Sequence, residues 1–237
     1  MSEGCRGCTG RCCYDIVVHV TPFDVWRIAS EQALLPLQIV EPREVQPREG
    51  PSAAVFGARL DATERRFRCV LRKSPHEPLA CQFLLHLGGG QKRCGIYPHR
   101  PRVCAVYPFA IHRGSVDLRD DARCAAGDWN LALVDYAAMR RDLAVYDAEW
   151  HAAAGIATVW NDAVEAGGVT PSFPAFVAYA HAAAGTILET NAADAAPLER
   201  WAEALLPEDV TAPLQRWLDG VRLASEGALV SASAAPT

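Results

Sequence analysis

The sequence predicts an α-rich α+β protein, with an irregular, metal-organised cysteine-cluster half packed on a helical C-terminal half. Three observations carry this expectation. All nine cysteines fall between Cys5 and Cys124. From Tyr136 onward, apolar residues recur at alternating spacings of three and four, the period of one buried helix face. The charge divides near the same place: residues 1–128 hold 18 Lys/Arg against 14 Asp/Glu, and residues 129–237 hold 5 against 14. The predicted organisation is a cysteine-cluster metal-binding domain at 1–128, a helical region at 129–225 and a disordered tail of small and polar residues at 226–237.

Taken in chain order, residues 5–13 (CRGCTGRCC) are too rich in cysteine and glycine for regular structure, and 16–20 (IVVHV) predict a short strand. Thr21 caps the one predicted helix of this half, with Pro22 at its first position and Asp24 in its first turn. That helix carries Phe23, Trp26 and Ile28 to about Ser30. Residues 36–52, rich in Pro and Glu, predict a loop, and short strands are expected near 54–60 and 65–71. The stretch 74–108 is loop-like, with Gly88-Gly89-Gly90 as slack between two cysteines, and a hairpin at 109–118 turns at Arg113-Gly114. In the second half, Tyr136, Met139, Leu143, Tyr146, Trp150, Ala153, Ala157, Trp160 and Val164 mark one long helix, ended by Gly167-Gly168. Phe176, Ala180, Ala183 and Ile187 mark a second helix; Leu198, Trp201 and Leu205 mark a third; Val210, Leu214, Trp217 and Val221 mark a fourth.

A net charge of −5 and a pI near 5.8 argue against nucleic acid as a general partner. No apolar run reaches membrane-spanning length, so no membrane association is expected. The start Met1-Ser2-Glu3-Gly4-Cys5 has neither a basic end nor an apolar segment for export, so the expected location is the cytoplasm. In a reducing cytosol, clustered cysteines more often bind metal or do redox work than form disulfides. The acidic helical half offers a docking surface for a protein partner.

The expected ligands are Cys5, Cys8, Cys12, Cys13, Cys81, Cys94, Cys104 and Cys124. A CxxC spacing such as Cys5–Cys8 lets two thiolates reach one ion, because a tight turn points both sulfurs inward. Four thiols within nine residues have no packing rationale. If the backbone is extended at Cys12-Cys13, the two side chains point to opposite faces. They then serve two neighbouring sites, or one is a ligand and the other a thiol beside it. His86 and His99 lie between ligand cysteines, but enough thiols exist without them. Lone Cys69 is as readily a buried structural cysteine as a ligand. All-thiolate coordination suits an iron–sulfur cluster or zinc.

The N-terminal cluster, CQFL at 81–84, CGIYPHRPRVC at 94–104, YPF at 107–109 and the final Cys124 together resemble the YkgJ-type cysteine-cluster family. Its pattern is CxxCxxCC, then C-x-I-Y-x-x-R-P-x-x-C and a last cysteine. This chain departs from it by one extra residue before the double cysteine. The resemblance implies zinc or iron chelation by the eight cysteines and leaves Cys69 outside the set. It also favours Arg100 as a group standing behind the ligands, donating hydrogen bonds to thiolates or nearby carbonyls. Pro101 then fixes the turn that aims Cys104, and Tyr97 packs. The same domain resembles part of flagellin lysine-N-methylase. That implies, as a second reading, an iron–sulfur-dependent protein lysine N-methyltransferase-like enzyme, and it tips the metal toward iron–sulfur. No nucleotide-type methyl-donor motif accompanies it. A third reading is a redox or metal-handling protein that serves a partner.

Overall fold

The protein is described from a computed structural model that covers residues 10–46, 57–112, 115–123, 131–191 and 225–229. The chain begins with a single helical turn, α1 (Arg11–Asp15), entered through Gly10 in the left-handed region at φ 76°. A side chain at Gly10 would also press on Lys92 and Leu84, its Cβ only 3.2 and 3.3 Å away. Helix α2 (Pro22–Gln32) starts as its residues predict. The Thr21 hydroxyl accepts the Asp24 N–H at 3.2 Å, and the Asp24 carboxylate accepts the Thr21 N–H at 3.0 Å, a reciprocal cap. A short α3 (Pro36–Ile39) leads into β1 (Val40–Glu44), which pairs antiparallel with β2 (Phe67–Leu71) from Val40↔Leu71 to Glu44↔Phe67.

Strands β3 (Leu84–Leu87) and β4 (Gln91–Cys94) form a second hairpin. A 3-10 turn at Tyr97–His99 and helix α4 (Arg102–Val106) follow. A third hairpin joins β5 (Phe109–His112) and β6 (Ser115–Leu118). Beyond it run two long helices, α5 (Tyr136–Glu165) and α6 (Phe173–Asn191).

One aromatic cluster joins the helical half to the first half. Trp160 of α5 stacks on Tyr179 of α6 at 5.4 Å between ring centres and meets Phe176 edge-on at 5.5 Å. Phe23 of α2 and Ala58 are buried in the same cluster. Beside it the polar edges are satisfied across the halves: Trp160 Nε1 donates to the Arg59 carbonyl at 2.7 Å, and Asn161 bonds both Arg59 N–H and Gly57 C=O. Gly185 lets α6 press against α2, since a Cβ there would lie 2.7 Å from the Trp26 indole nitrogen. The architecture is therefore α-rich α+β, as the composition pattern predicts.

Several local expectations need correction. Residues 16–20 form no strand, because only His19 pairs there, as an isolated bridge to Val70. The predicted loop at 36–52 contains α3 and β1: Pro36 sits at a helix start, and the lone Pro42 lies in a two-stranded edge that tolerates it. The stretch 74–108 holds a hairpin and a helix, and Gly88–Gly90 are its tight turn, with φ 72° at Gly89 and 79° at Gly90. In the 54–60 segment, only the bridge Ala58↔Phe67 is described as strand-like. The hairpin turn at 113–114 and the third and fourth predicted helices lie outside the described residues. Residues 225–229 are helical, with Ser225 and Ala228 buried, where the sequence predicts the start of a disordered tail after 225. No helix among the described residues is long and apolar enough to cross a membrane.

Candidate metal centre

Five of the eight expected ligands lie among the described residues, and all five line one cavity of about 730 Å³. Cys12 and Cys13 come from α1, Cys81 from the bend before β3, Cys94 from the end of β4 and Cys104 from α4. Cys5, Cys8 and Cys124 lie outside the described residues. The thiols stand around the walls: among the described residues, no three Cys, His, Asp or Glu side chains close on a single point to grip an ion.

Backbone hydrogen bonds hold these segments against each other. Cys81 N–H donates to the Cys13 carbonyl at 2.8 Å, which ties α1 to the bend before β3. Gly95 N–H donates to the Phe83 carbonyl at 2.7 Å and closes the foot of the hairpin. Lys73 Nζ reaches the carbonyls of Tyr14, Ile16 and Leu79 at 3.0–3.4 Å, collecting acceptors that α1 leaves open at its end. Outside the cavity, the Tyr14 hydroxyl donates to Glu77 at 2.7 Å and accepts from Lys92 at 2.6 Å, pinning α1 to β4.

The double cysteine is arranged otherwise than an extended backbone would place it. Cys12 and Cys13 sit in the helical turn α1, and both face the cavity. The two thiols act directly on each other, which pulls Cys12 down to about 7 and pushes Cys13 up. Burial raises Cys81 and Cys94, and raises Cys104 furthest of these three, with neighbouring thiols adding to the rise. A cation among them would reverse the balance, because it stabilises thiolates that burial and mutual repulsion disfavour.

Arg100 lines the cavity, and its charge pulls down both Cys12 and Cys94, although for Cys94 burial outweighs that pull. Its guanidinium stacks on the Tyr97 ring at 3.9 Å. Arg100 Nε and the Tyr97 hydroxyl are buried and without a hydrogen-bond partner among the described residues. Two unpaired donors beside thiols suit a site completed by something anionic, such as metal-bound thiolate or sulfide. Tyr97 packs as expected, and what its ring packs under is the Arg100 guanidinium. The 3-10 turn after Ile96 puts Tyr97 and Arg100 on the same side, a spacing the segment CGIYPHR already contains.

Pro101 stands just before α4 at φ −50° and ψ 146°, and its carbonyl accepts the Cys104 N–H at 2.9 Å. Tyr107 also lines the cavity, and its hydroxyl accepts the Arg123 N–H, so the chain just before Cys124 is tied to the cavity wall. His86 pairs with Glu77 at 2.9 Å and His99 lies 3.6 Å from Glu31; neither lines the cavity. Cys69 lies away from the cavity, packed between the two main core clusters, and burial pushes it up to about 12. The residue set fits a thiolate-bound metal: soft donors, a basic neighbour and unpaired donors meet in one place.

Comparison with curated proteins and with solved structures gives no match. Comparison with protein families gives one that spans residues 4–125, just over half of the chain, and includes every expected ligand. That family is described as CxxCxxCC, "Putative zinc- or iron-chelating domain". The thiol-lined cavity lies within the matched span, and the chain belongs to the CxxCxxCC family.

Proposed function

We propose that this protein binds metal through Cys5, Cys8, Cys12, Cys13, Cys81, Cys94, Cys104 and Cys124, and that the metal is carried as an iron–sulfur cluster. The observation that carries the reading is the meeting of thiols from four separate segments in one cavity. Buried free thiols scattered by packing alone would not gather beside an arginine with an unpaired donor. Within the all-thiolate alternatives, the resemblance to the cysteine-cluster part of flagellin lysine-N-methylase favours iron–sulfur. Thiols spread around the cavity suit several bridged metal atoms better than a single tetrahedral ion.

Arg100 supports the same reading as a charge-compensating donor. Four or more thiolates leave a cluster anionic, and burying that charge is costly without nearby donors. No observation favours methyl transfer, or transfer of metal or electrons to a partner, over cluster binding itself. The test is anaerobic purification followed by elemental analysis and by visible and Mössbauer spectra. Iron with sulfide and charge-transfer absorption is expected. Colourless protein with stoichiometric zinc would overturn the cluster, and protein with neither metal would overturn the function.

A further inference from the structure

Below the cavity lies a buried charged network that the metal site does not itself contain. Asp24 of α2, 2% exposed, is its centre. One carboxylate oxygen, Oδ2, accepts the Thr21 N–H and hydroxyl at 3.0 and 3.1 Å and caps its own helix. The other, Oδ1, accepts Arg27 Nη2 at 2.8 Å and the backbone N–H of Arg102 at 2.9 Å. Arg27 in turn makes a two-pronged bond to Glu149 of α5, at 2.7 and 2.8 Å. Glu149 Oε1 also lies 3.5 Å from Arg102 Nε.

Arg102 is the first residue of α4, and Cys104 is its third. The first N–H groups of a helix have no partner inside it. Here a carboxylate 78 residues earlier in the chain takes that place. Asp24 is near enough to Cys104 for its charge to be felt there. Glu149 lies beyond residue 125, where the family match ends, so the network reaches from the helical half to the ligand turn.

We propose that Asp24 is a positioning residue for Cys104, held in place by Arg27 and Glu149, so that the geometry of the metal site depends on α5. The inference rests on the cavity being the metal site. Arg102 offers a way to disturb the decisive bond. Proline is accepted at the first position of a helix and replaces the N–H there with a ring carbon that cannot bond Asp24, and Pro101, at φ −50° and ψ 146°, suits a following proline. Arg102→Ala removes the side chain but keeps the N–H, so the difference between Arg102→Pro and Arg102→Ala reports the displacement of Asp24 from the start of α4.

Two readouts are taken on each of wild type, Asp24→Ala, Arg102→Ala and Arg102→Pro. The first is the rate of iodoacetamide alkylation of Cys104 in the metal-free, reduced chain, mapped by mass spectrometry with Cys69 as internal reference. The second is metal retention against a competing chelator. Arg102→Pro is expected to speed Cys104 alkylation about tenfold over Arg102→Ala with Cys69 unchanged, and to weaken metal retention about 10–100-fold. Asp24→Ala is expected to do the same; if it fails to fold, the Arg102 pair alone decides. Equal Cys104 rates in the two Arg102 variants, or altered rates with unaltered retention, would overturn the inference. A wild-type chain that retains no metal would overturn the function on which it rests.

Discussion

Removing the Glu149 carboxylate should cost the fold more than its surface-like identity suggests. The side chain is 4% exposed and accepts two short hydrogen bonds from Arg27, itself 23% exposed. Burial raises the Glu149 carboxyl, with Arg27 opposing the rise; burial also works against the Arg27 charge, but Glu149 and Asp24 together outweigh it and raise Arg27. Truncating one partner of a buried pair costs roughly 3–5 kcal/mol, because the other charge is left uncompensated. Asp24 still holds Arg27 at 2.8 Å after the change, and water reaches part of the guanidinium, so the low end applies. Glu149→Ala is therefore expected to lose about 3 kcal/mol, or roughly 6–12 °C in Tm for a chain of this size. Chemical denaturation of metal-free protein measures it, with exposed Asp162→Ala as a control expected within about 0.5 kcal/mol of wild type. A loss below about 1 kcal/mol would refute the reasoning, since it would mean that the pair is already solvated.

Three further outcomes follow from the cavity. Arg100→Ala should weaken metal retention about 10–100-fold and Arg100→Lys less, because lysine keeps the charge and loses the planar fork; competition against a chelator checks this. Metal affinity should rise with pH, because each bound thiolate must first lose its proton. The slope of log affinity against pH should steepen by about one below about pH 7, where Cys12 becomes protonated in the metal-free chain, and metal titrations from pH 6 to 8 measure it. Cys69→Ser should keep full metal content while losing about 1–3 kcal/mol of stability, since a hydroxyl replaces a thiol packed between two core clusters.

What could be read from the residues depended on whether the signal was local. The start of α2 was legible because Thr21, Pro22 and Asp24 carry the whole cap within four residues. The stripe on α5 was legible from its period, and Leu143, Ala153, Ala157 and Trp160 are buried as expected. Tyr136 is 44% exposed, however, and Ala144, Ala148 and Ala152 are buried instead at the tight contact. Small residues carry little hydrophobic signal, so a face built from alanine reads as neutral. Glu149 was missed for the opposite reason: its charge reads as surface, and its partner Arg27 lies 122 residues away. Within the cavity wall, Cys12, Cys13, Cys81, Cys94, Cys104 and Arg100 are residues that spacing and motif single out. The helical turn under Cys12-Cys13 was not legible, because tertiary bonds such as Cys81 N–H to Cys13 C=O support it where local composition would not.

The most direct test of the central claim is X-ray absorption at the metal edge of anaerobically purified wild-type protein. A cysteine-held cluster predicts a first shell of sulfur alone at about 2.3 Å, with a metal–metal distance beyond it. A first shell of nitrogen and oxygen would contradict the thiol-lined cavity as the metal site.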